Sequence, residues 1–399
     1  MEEPSGNPRQ RPRATDNLKL RQLNRAIRKM EHNRAMPNLS PPPGDRLALI
    51  ERARRAVLQG EEAARGMALQ PWLERSWRRC LATGQRPEQH LGFDMIAAQT
   101  RQRVLDANQP LVRAARPVLD RLSRALASSR YFAILTDQQG VVIDAHGPID
   151  HSDRRAHLIT RVGVDLSERA VGTTAIGAVL AELQPVWLHR GEHFFNDTSV
   201  YSCAGAPLFG PDGRCVGMLD LTGINAAERP ELKHLVAQSA RSIENALLLA
   251  LHHAVLLRLN WPGRTLGGEE DGLVCLDHEG WVRGSNLPAR EMVPQLALPG
   301  APAHCSELFA QPWEALFDLA RQHGTPAPIE VPLWSGLRLS ALPQTAGQAA
   351  SPVAPRVPLR DVEIALIRKA VTDARGNVVE AAKALGISRA TVYRKLGKK

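Results

Sequence analysis

The C-terminal stretch GNVVEAAKALGISRATVYRKL, residues 376–396, predicts two short helices joined by a sharp turn. Asn377 is placed to cap the first helix, and Glu380, three residues later, completes the pattern of a capping box. Gly386 tolerates the left-handed backbone that a tight reversal needs, and Ser388 is placed to cap the second helix. Two helices in this arrangement must share one small apolar core.

The second of these helices predicts a surface that contacts DNA. Its apolar positions face inward, which leaves hydroxyl-bearing, basic and aromatic side chains on the outward face. These candidates are Ser388, Arg389, Thr391, Tyr393, Arg394 and Lys395. We expect the two arginines to contact bases or phosphates, the threonine and tyrosine to lie near base edges or the backbone, and the lysine to contact a phosphate. The alternative is a helical hairpin with a solvated basic face, but the caps, the turn glycine and small Ala382 together favour DNA binding.

An amphipathic pattern from Leu359 to Ala374 adds a third short helix. Three short helices form a small core, so we expect this segment to pair with a second copy as a homodimer on a pseudo-palindromic operator. Residues 359–399 resemble the Fis-type C-terminal DNA-binding domain of NtrC-class bacterial transcription activators. The resemblance implies an all-α helix-turn-helix domain that binds double-stranded DNA.

Positive charge is concentrated at the two ends of the chain. Residues 1–36 hold nine Lys and Arg against four acids, and residues 356–399 hold eleven against four, within a total of 399 residues and a net charge of +10. The net charge of the middle of the chain is therefore near zero. Basic end segments joined to nearly neutral domains are typical of a protein that binds nucleic acid through those segments. Residues 1–44 predict a disordered basic tail, and DNA contact by this tail is an open alternative.

Cysteine usage and hydropathy predict a cytoplasmic protein. The five cysteines are odd in number, widely spaced and without a Cys-x-x-Cys pair, which favours reduced thiols. An apolar run of about eighteen residues, the length that spans a membrane, is missing from the sequence. We therefore expect neither export nor a membrane partner.

Helical periodicity gives way to strand patterns near residue 129. Residues 45–128 predict a helical region, with helices from Arg46 to Gly66, Pro71 to Thr83 and Ala97 to Ser128. Residues 129–230 predict an antiparallel sheet with flanking helices, beginning with a hairpin formed by Tyr131–Asp137 and Val141–Ala145. Further strands follow at Pro185–His189 and on both sides of a Pro-Asp-Gly turn at 211–213.

Four segments of these two regions resemble the sensory region of the acetoin-catabolism activator family. They are SWRRC at 76, VGTTAIGAVLAE at 171, PVWLHRGEHF at 185 and SCAGAPLFGPDGRCVGMLDLTG at 202. The resemblance implies that residues 45–128 form a helical N-terminal part and residues 129–230 a GAF sensor domain. One departure is Thr174, where the family more often has Asn.

A GAF domain of this kind implies a pocket for a small-molecule effector. From the resemblance and from aromatic or polar character, we expect Trp187, His193, Tyr201 and Cys203 to line it. The alternative places Trp187 in the core and makes Cys203 a small buried residue.

His189, His193 and Cys203 have spacings that suggest a metal site, but a predicted change from strand to loop between the histidines argues against one. We therefore expect no metal and no cofactor.

The rest of the chain predicts three further segments. Residues 231–260 lack Gly and Pro and carry an apolar stripe, which predicts a long signalling and dimerisation helix; packing on its own domain is the alternative. Residues 261–342 resemble a PAS domain, with EDGLVCLDHEGWVRGSNLPAREM giving two strands and a helix and IEVPLWSGLRLSALP two more strands. Residues 343–358, rich in Pro and Ala, predict a linker. The expected fold class is multidomain α+β with an all-α C-terminal domain.

Relatives in the NtrC class carry an ATPase between the sensor and the DNA-binding domain, and this sequence has no phosphate loop of the form G-x-x-x-x-G-K-[ST]. Without it, ATP-driven remodelling of polymerase has no machinery. The sequence also offers no recognisable set of catalytic residues, so we expect that the protein is not an enzyme.

The main hypothesis is a ligand-responsive transcriptional regulator that acts without its own ATPase, with RNA polymerase as a candidate partner. The alternative is an adaptor that pairs with an ATPase-bearing, sigma-54-dependent relative.

Overall fold

The computed structural model describes residues 43–58, 70–298, 303–322 and 327–345, together with 371, 377–384, 389, 392 and 393. All but the last two residues of the predicted tail, and most of the predicted linker, lie outside these residues. The chain divides into two compact units, residues 1–69 and 70–399. In the first unit, helix α1 spans Pro43–Leu58.

Two helices open the second unit. Helix α2 spans Pro71–Ala82 and starts with proline, which is tolerated there because the first helical N–H has no intrahelical partner. Helix α3 spans Ala98–Leu126 and contains Pro110 and Pro117. Both helices were predicted to within two residues at each end. Apolar residues of α3 recur at helical spacing from Leu111 to Leu126 and are buried in one core cluster, so this helix has a single inward face.

The first sheet has five antiparallel strands in the order β2-β1-β5-β4-β3. The strands are β1 (Tyr131–Asp137), β2 (Val142–His146), β3 (Val186–His189), β4 (Tyr201–Phe209) and β5 (Cys215–Ile224). Strand β5 lies at the centre, where Asp220 is paired with Ile134 of β1 on one side and Gly205 of β4 on the other. A charged residue therefore occupies the middle of the sheet.

The two faces of this sheet are covered differently. One face packs against α3 and against helix α7 (Leu232–Leu249), with Leu219 and Leu221 of β5 in this core. The other face is covered by three short helices, α4 (Arg154–Thr160), α5 (Glu168–Val171) and α6 (Ala175–Glu182), and by 3-10 turns at Arg190–Glu192 and Asn196–Thr198. Since side chains alternate along a strand, Asp220 points to this second face.

The predicted helix over residues 231–260 is wrong in its second half. Helix α7 ends at Leu249, and Val255–Asn260 form strand β6, whose six residues are all buried. A strand covered on both faces has a continuous apolar run, which periodicity alone does not separate from a buried helix. The apolar residues Ala254 to Leu257 therefore looked like a continuation of the helix, although they begin a strand.

Strand β6 is the centre of a second antiparallel sheet, in the order β8-β7-β6-β10-β9. The other strands are β7 (Gly272–Leu276), β8 (Val282–Ser285), β9 (Ile329–Pro332) and β10 (Arg338–Thr345). Helices α8 (Leu287–Met292), α9 (Cys305–Leu308) and α10 (Glu314–Arg321) and a 3-10 turn at Pro294–Ala297 complete this part. The predicted boundaries 261 and 342 are thus too narrow, because the sheet includes residues 255–260 and 343–345.

A hydrogen-bonded junction joins helix α7 to the second sheet. Asn286 caps α8 by accepting from Ala289 N at 3.0 Å, and its Oδ1 also accepts from Leu273 N at 2.8 Å. Its Nδ2 donates to Asn245 Oδ1 of α7 at 2.9 Å and to Asp271 O at 2.8 Å. All four hydrogen-bonding positions of this buried amide are therefore used.

We expect Asn286→Ala to lower the free energy of unfolding by about 3 kcal/mol, because buried partners lose their bonds. Urea unfolding of the full chain measures this. The matched control is Asn108→Ala: Asn108 donates only to Val104 O of its own helix, and we expect a change within about 0.5 kcal/mol. Equal effects of the two substitutions would contradict the role assigned to Asn286.

Candidate ligand cavity and DNA-binding segment

A cavity lies between the first sheet and the helices α4 to α6. Apolar residues form most of its wall: Phe93, Ile134, Ile159, Leu166, Val171, Ala175 and Ile176. The polar residues that line it are Thr174, His193, Thr198, Tyr201, Cys203, Asp220 and Thr222. A mostly apolar wall with a few converging polar groups is the usual composition of a small-molecule site.

The cavity is small. The space open to the centres of water-sized molecules is about 30 Å³, whereas one water needs about 10–15 Å³ on the same measure. The atom-free volume of about 350 Å³ includes space that opens to solvent, so the smaller figure sets the scale. A ligand of a few heavy atoms fits this space.

Three of the four residues predicted to line the effector pocket are at this cavity. His193, Tyr201 and Cys203 lie together on its wall, and the rings of His193 and Tyr201 meet edge to face at 6.5 Å. His193 Nδ1 is 2.9 Å from the carbonyl oxygen of Arg190, so this nitrogen carries the hydrogen. Trp187 is not at the cavity: its side chain belongs to the core on the opposite face of the sheet, because strand β3 presents it toward that face.

Asp220 and Thr222 also line the cavity, and neither was among the predicted site residues. The hydroxyl of Thr222 donates to Asp220 Oδ2, and Cys203 Sγ lies 3.4 Å from the same hydroxyl oxygen. Asp220 is 1% exposed, and its Oδ1 has no hydrogen-bond partner among the described residues. The available signal was one acid inside the apolar strand sequence VGMLDLTG.

Burial sets the protonation of these groups. Removal from water raises the pKa of Asp220 to about 7, and the hydrogen bond from Thr222 opposes this shift. Burial also raises the pKa of the Cys203 thiol well above its ordinary value, with the Asp220 charge adding to the effect. The thiol is therefore neutral, and the carboxyl group changes charge near neutral pH.

Helix α2 holds one wall of the cavity. The carboxylate of Glu168, in α5, accepts from Ser76 Oγ at 2.7 Å and from Arg79 Nε and Nη2 at 2.7 and 2.9 Å. Ser76 Oγ also lies 2.7 Å from Thr173 Oγ1, and Trp77 Nε1 donates to Glu192 O at 2.9 Å. The SWRRC motif thus anchors the segment that contains Val171, Thr174 and Ala175 of the cavity wall.

We expect Glu168→Ala to lower the free energy of unfolding by about 2–3 kcal/mol, because buried Ser76 and part-buried Arg79 lose their acceptor. The matched control is Glu74→Ala, which removes only an exposed i,i+4 pair with Arg78; we expect a change within about 0.5 kcal/mol. Chemical unfolding of both variants provides the test, and an equal loss in the two would rule out the anchor.

Titration of Asp220 has a stability consequence with a definite sign. Its ordinary pKa is 3.8 and its folded value about 7, so the folded chain holds a proton that the unfolded chain releases between these values. Stability from this group is fully present below the unfolded pKa and is lost as pH rises through the folded pKa. The titratable groups that line the cavity with it are His193, Tyr201 and Cys203.

We expect Asp220→Asn, which cannot ionise, to match the parent chain near pH 4 and to exceed its stability at pH 8 by on the order of 2–4 kcal/mol. Burial also raises the pKa of Glu244 to about 7, but this group is common to both proteins and cancels in the difference. Thermal unfolding across this pH range measures the divergence; parallel curves would contradict the assignment.

The described part of the C-terminal segment agrees with a capped helix and a small core. Helix α11 spans Val378–Ala384, and Asn377 Oδ1 accepts from the backbone N–H groups of residues 379 and 380 at 3.1 and 3.3 Å. Ala382 and Val392 are buried against each other. Of the predicted DNA-contacting residues, Arg389 and Tyr393 are exposed, whereas Ser388, Thr391, Arg394 and Lys395 lie outside the described residues.

Neither a metal-binding cluster nor a membrane-spanning helix is found among the described residues. No cluster of three or more His, Cys, Asp or Glu there has the arrangement of a metal site. No described helix combines the length and apolar character needed to cross a membrane.

Comparison with known families identifies both functional regions. Residues 358–398 match the family described as bacterial regulatory protein, Fis family, so the C-terminal segment is a Fis-type helix-turn-helix. Residues 51–245, which include the cavity, match the family described as MimR, N-terminal domain. The chain therefore combines a MimR-type N-terminal domain with a Fis-type helix-turn-helix, and its homologues are transcriptional activators of the acetoin-catabolism and MimR type. This confirms the resemblance to that family.

The acetoin catabolism regulatory protein of Cupriavidus necator is 30% identical over 252 residues, 62% of this chain and 37% of the relative. The propane 2-monooxygenase operon transcriptional activator MimR of Mycolicibacterium smegmatis is 31% identical over 145 residues, 36% of this chain and 25% of the relative. The chain thus spans well under half the length of these relatives. The E. coli DhaR(N)–DhaL complex has a TM-score of 0.43 at 15% identity, covering 69% of this chain and 99% of that one, which is too low for inference.

Proposed function

We propose that this protein is a ligand-responsive, sequence-specific DNA-binding transcriptional regulator. The observation that carries the proposal is a buried cavity with an unpaired carboxyl oxygen in the same chain as a Fis-type helix-turn-helix. In this proposal the first sheet with its helices is a GAF-type sensor, and the second sheet is a PAS-type domain. The helix-turn-helix is the output, and a homodimer reads both halves of a pseudo-palindromic operator.

The names of the relatives narrow the class of effector. One regulates acetoin catabolism, and another activates an operon for propane 2-monooxygenase. Both pathways start from molecules of three or four carbons, and the cavity here has room for a few heavy atoms. We propose that the effector is a metabolite of that size, bound by His193, Tyr201 and Cys203.

We further propose that the chain acts without its own ATPase, in the bacterial cytoplasm. The N-terminal domain match ends at residue 245 and the helix-turn-helix match begins at 358. Most of the intervening residues form the second sheet and its helices, and the only Gly-Lys pair in the sequence is Gly397-Lys398. A phosphate loop needs that pair followed by Ser or Thr. Effector binding then regulates DNA binding or contact with RNA polymerase directly.

Chromatin immunoprecipitation in the native host, followed by gel shifts of the recovered sites with purified full chain, tests this function. We expect discrete sites with pseudo-palindromic half-sites and a change in affinity or shift pattern when small C3–C4 metabolites are added. Recovery of sites only when a longer, ATPase-bearing relative is present would favour the adaptor alternative. Absence of sequence-specific binding in both assays would overturn the proposal.

We expect Arg394→Ala to weaken operator binding by about 5- to 150-fold, equivalent to about 1–3 kcal/mol, and to relax the preference at one base pair. Gel shifts on a series of single-base operator variants measure both effects. The matched control is Arg78→Ala, which removes an exposed arginine of α2 that pairs with Glu74; its affinity should stay at the parent value. Unchanged affinity of the Arg394 variant across the series would show that this residue reads no base.

A further inference from the structure

We propose that an exposed aromatic surface beside the second sheet binds residues 352–358 of the same chain. This segment reads Pro-Val-Ala-Pro-Arg-Val-Pro and contains two overlapping P-x-x-P repeats. The segment lies outside the described residues, whereas every residue of the surface is described. The inference goes beyond the proposed function and does not depend on it, because docking of the segment requires neither an effector nor DNA.

The aromatic surface consists of Trp281, His304 and Trp334. The two tryptophans are 39% and 64% exposed, and the rings of Trp281 and His304 meet edge to face at 5.0 Å. Trp334 Nε1 donates to Ser306 O at 3.0 Å, and Ser306 Oγ lies 2.8 Å from His304 Nδ1, so the third ring adjoins the other two. Single exposed apolar residues are common, but adjoining exposed indoles indicate a surface that another group covers.

Packing against Trp313 holds the aromatic surface in place. The ring of Trp313 meets those of His304 and Phe317 edge to face, at 5.5 and 5.1 Å. A Cβ added at Gly280 would come within 2.8 Å of His304 Nε2 and of the Trp313 ring, so the turn that precedes Trp281 lies directly against these rings. Rings that are already fixed lose little conformational entropy when they bind a partner.

The chemistry of the segment fits exposed aromatic rings. Proline at every third position favours the polyproline II helix, which has three residues per turn and places Pro352, Pro355 and Pro358 along one edge, about 9 Å apart. Segments of this kind bind aromatic-lined surfaces, because their backbone is extended before binding and little entropy is lost on docking. The two tryptophans are thus suited to receive proline rings.

The charges beside the aromatic surface complement the segment. Arg356 is the charged residue within the segment. The backbone carbonyl of Glu279 accepts from His304 Nε2 at 2.7 Å, and Glu307 follows Ser306 in helix α9; both glutamates are exposed. Exposed ion pairs of this kind add little affinity, but they select the direction in which the segment binds.

The segment can reach the aromatic surface from the end of strand β10. Val255 of β6 is paired with Leu276 of β7 and with Thr345 of β10, and Trp281 follows the β7–β8 turn one strand further along the sheet. Three strand spacings place Thr345 about 15 Å from this turn. The chain from Thr345 to Pro352 spans up to about 25 Å when extended. The chain thus leaves the sheet at the same end as Trp281 and is long enough to reach it.

Docking fixes the position of the DNA-binding segment. Pro358 directly precedes Leu359, and the match to the Fis family begins at residue 358. When residues 352–358 are bound, the helix-turn-helix starts beside the second sheet. When they are released, residues 346–358 form a tether of up to about 45 Å. The docked and released forms therefore differ in how far the DNA-binding segment can move from the second sheet.

A labelled peptide of residues 349–360 tests the docking by fluorescence polarisation. The full chain is compared with a triple-alanine chain, which carries Pro352→Ala, Pro355→Ala and Pro358→Ala. We expect the peptide to bind the triple-alanine chain about tenfold or more tightly than the parent, because the tethered segment of the parent competes at an effective concentration in the millimolar range. A peptide with the same three alanines should bind neither chain.

Trp334→Ala in the triple-alanine chain should abolish peptide binding and leave the melting temperature unchanged, because the side chain is mostly exposed. The matched control is Trp261→Ala: Trp261 is similarly exposed but follows strand β6 at the end of the sheet opposite Val255. The control should bind the peptide as the triple-alanine chain does. A second measurement uses fluorine NMR of chains labelled with 5-fluorotryptophan. Between parent and triple-alanine chain, we expect the signals of Trp281 and Trp334 to shift and that of Trp261 to stay.

The inference is overturned if the peptide fails to bind the triple-alanine chain, binds it no more tightly than the parent, or still binds after Trp334→Ala. Identical fluorine spectra of the two chains would overturn it as well. Signals of Trp281 and Trp334 that change on dilution would show that a second copy covers the surface, which contradicts docking within one chain. Neither measurement involves DNA, so its failure is distinct from failure of the proposed function.

Discussion

Helix α7 is the constraint on which residues 70–345 depend, because one helix serves two hydrophobic cores. Its first turns, with Val236, Ala240 and Ile243, complete the core between the first sheet and α3. Its last turn places Leu248 in a separate cluster with Leu256 of β6. Glu244, between these two sets, accepts from the backbone N–H of Phe209 in β4. The position of the second sheet is thereby fixed by the same helix that covers the first.

Local signals predicted most of the first sheet. Tyr131–Asp137 was predicted with its observed ends, because a strand of β-branched and aromatic residues stops at a glycine turn. The end of α7 could not be predicted, since the apolar residues Ala254–Leu257 fit a buried helix or a buried strand. What decides between them is pairing with β7 and β10, whose residues are distant in sequence. Tertiary contacts of this kind leave no mark in a short window.

In the candidate site, too, residues recognisable from their neighbours in sequence were predicted, and residues whose role depends on distant contacts were not. His193, Tyr201 and Cys203 were found because they are polar or aromatic residues within segments that resemble a known sensor family. Asp220 was missed, because what distinguishes it is an Oδ1 atom with no hydrogen-bond partner among the described residues, and the surroundings of that atom are set by the register of β4 against β5. The prediction for Trp187 was wrong for a related reason. In a four-residue strand the sequence does not show which side chains point to which face of the sheet, because that depends on the cores that pack against the two faces. The sequence thus named three residues that line this cavity but not its buried acid.

The junction at Gly284 has a consequence for how the molecule can be divided. An added Cβ there would come within 2.7 Å of the Pro211 side chain, 2.9 Å of Leu248 and 3.0 Å of Leu251, so strand β8 packs against the β4–β5 turn and the end of α7 with no room for a side chain. A fragment cut after Ala250 would therefore expose Leu248, and the complementary fragment would lose the residue that covers Leu256, Leu273 and Cys275. The two parts are therefore not independent units: a chimera that exchanges residues 70–231 must carry α7 and residues 255–345 with them.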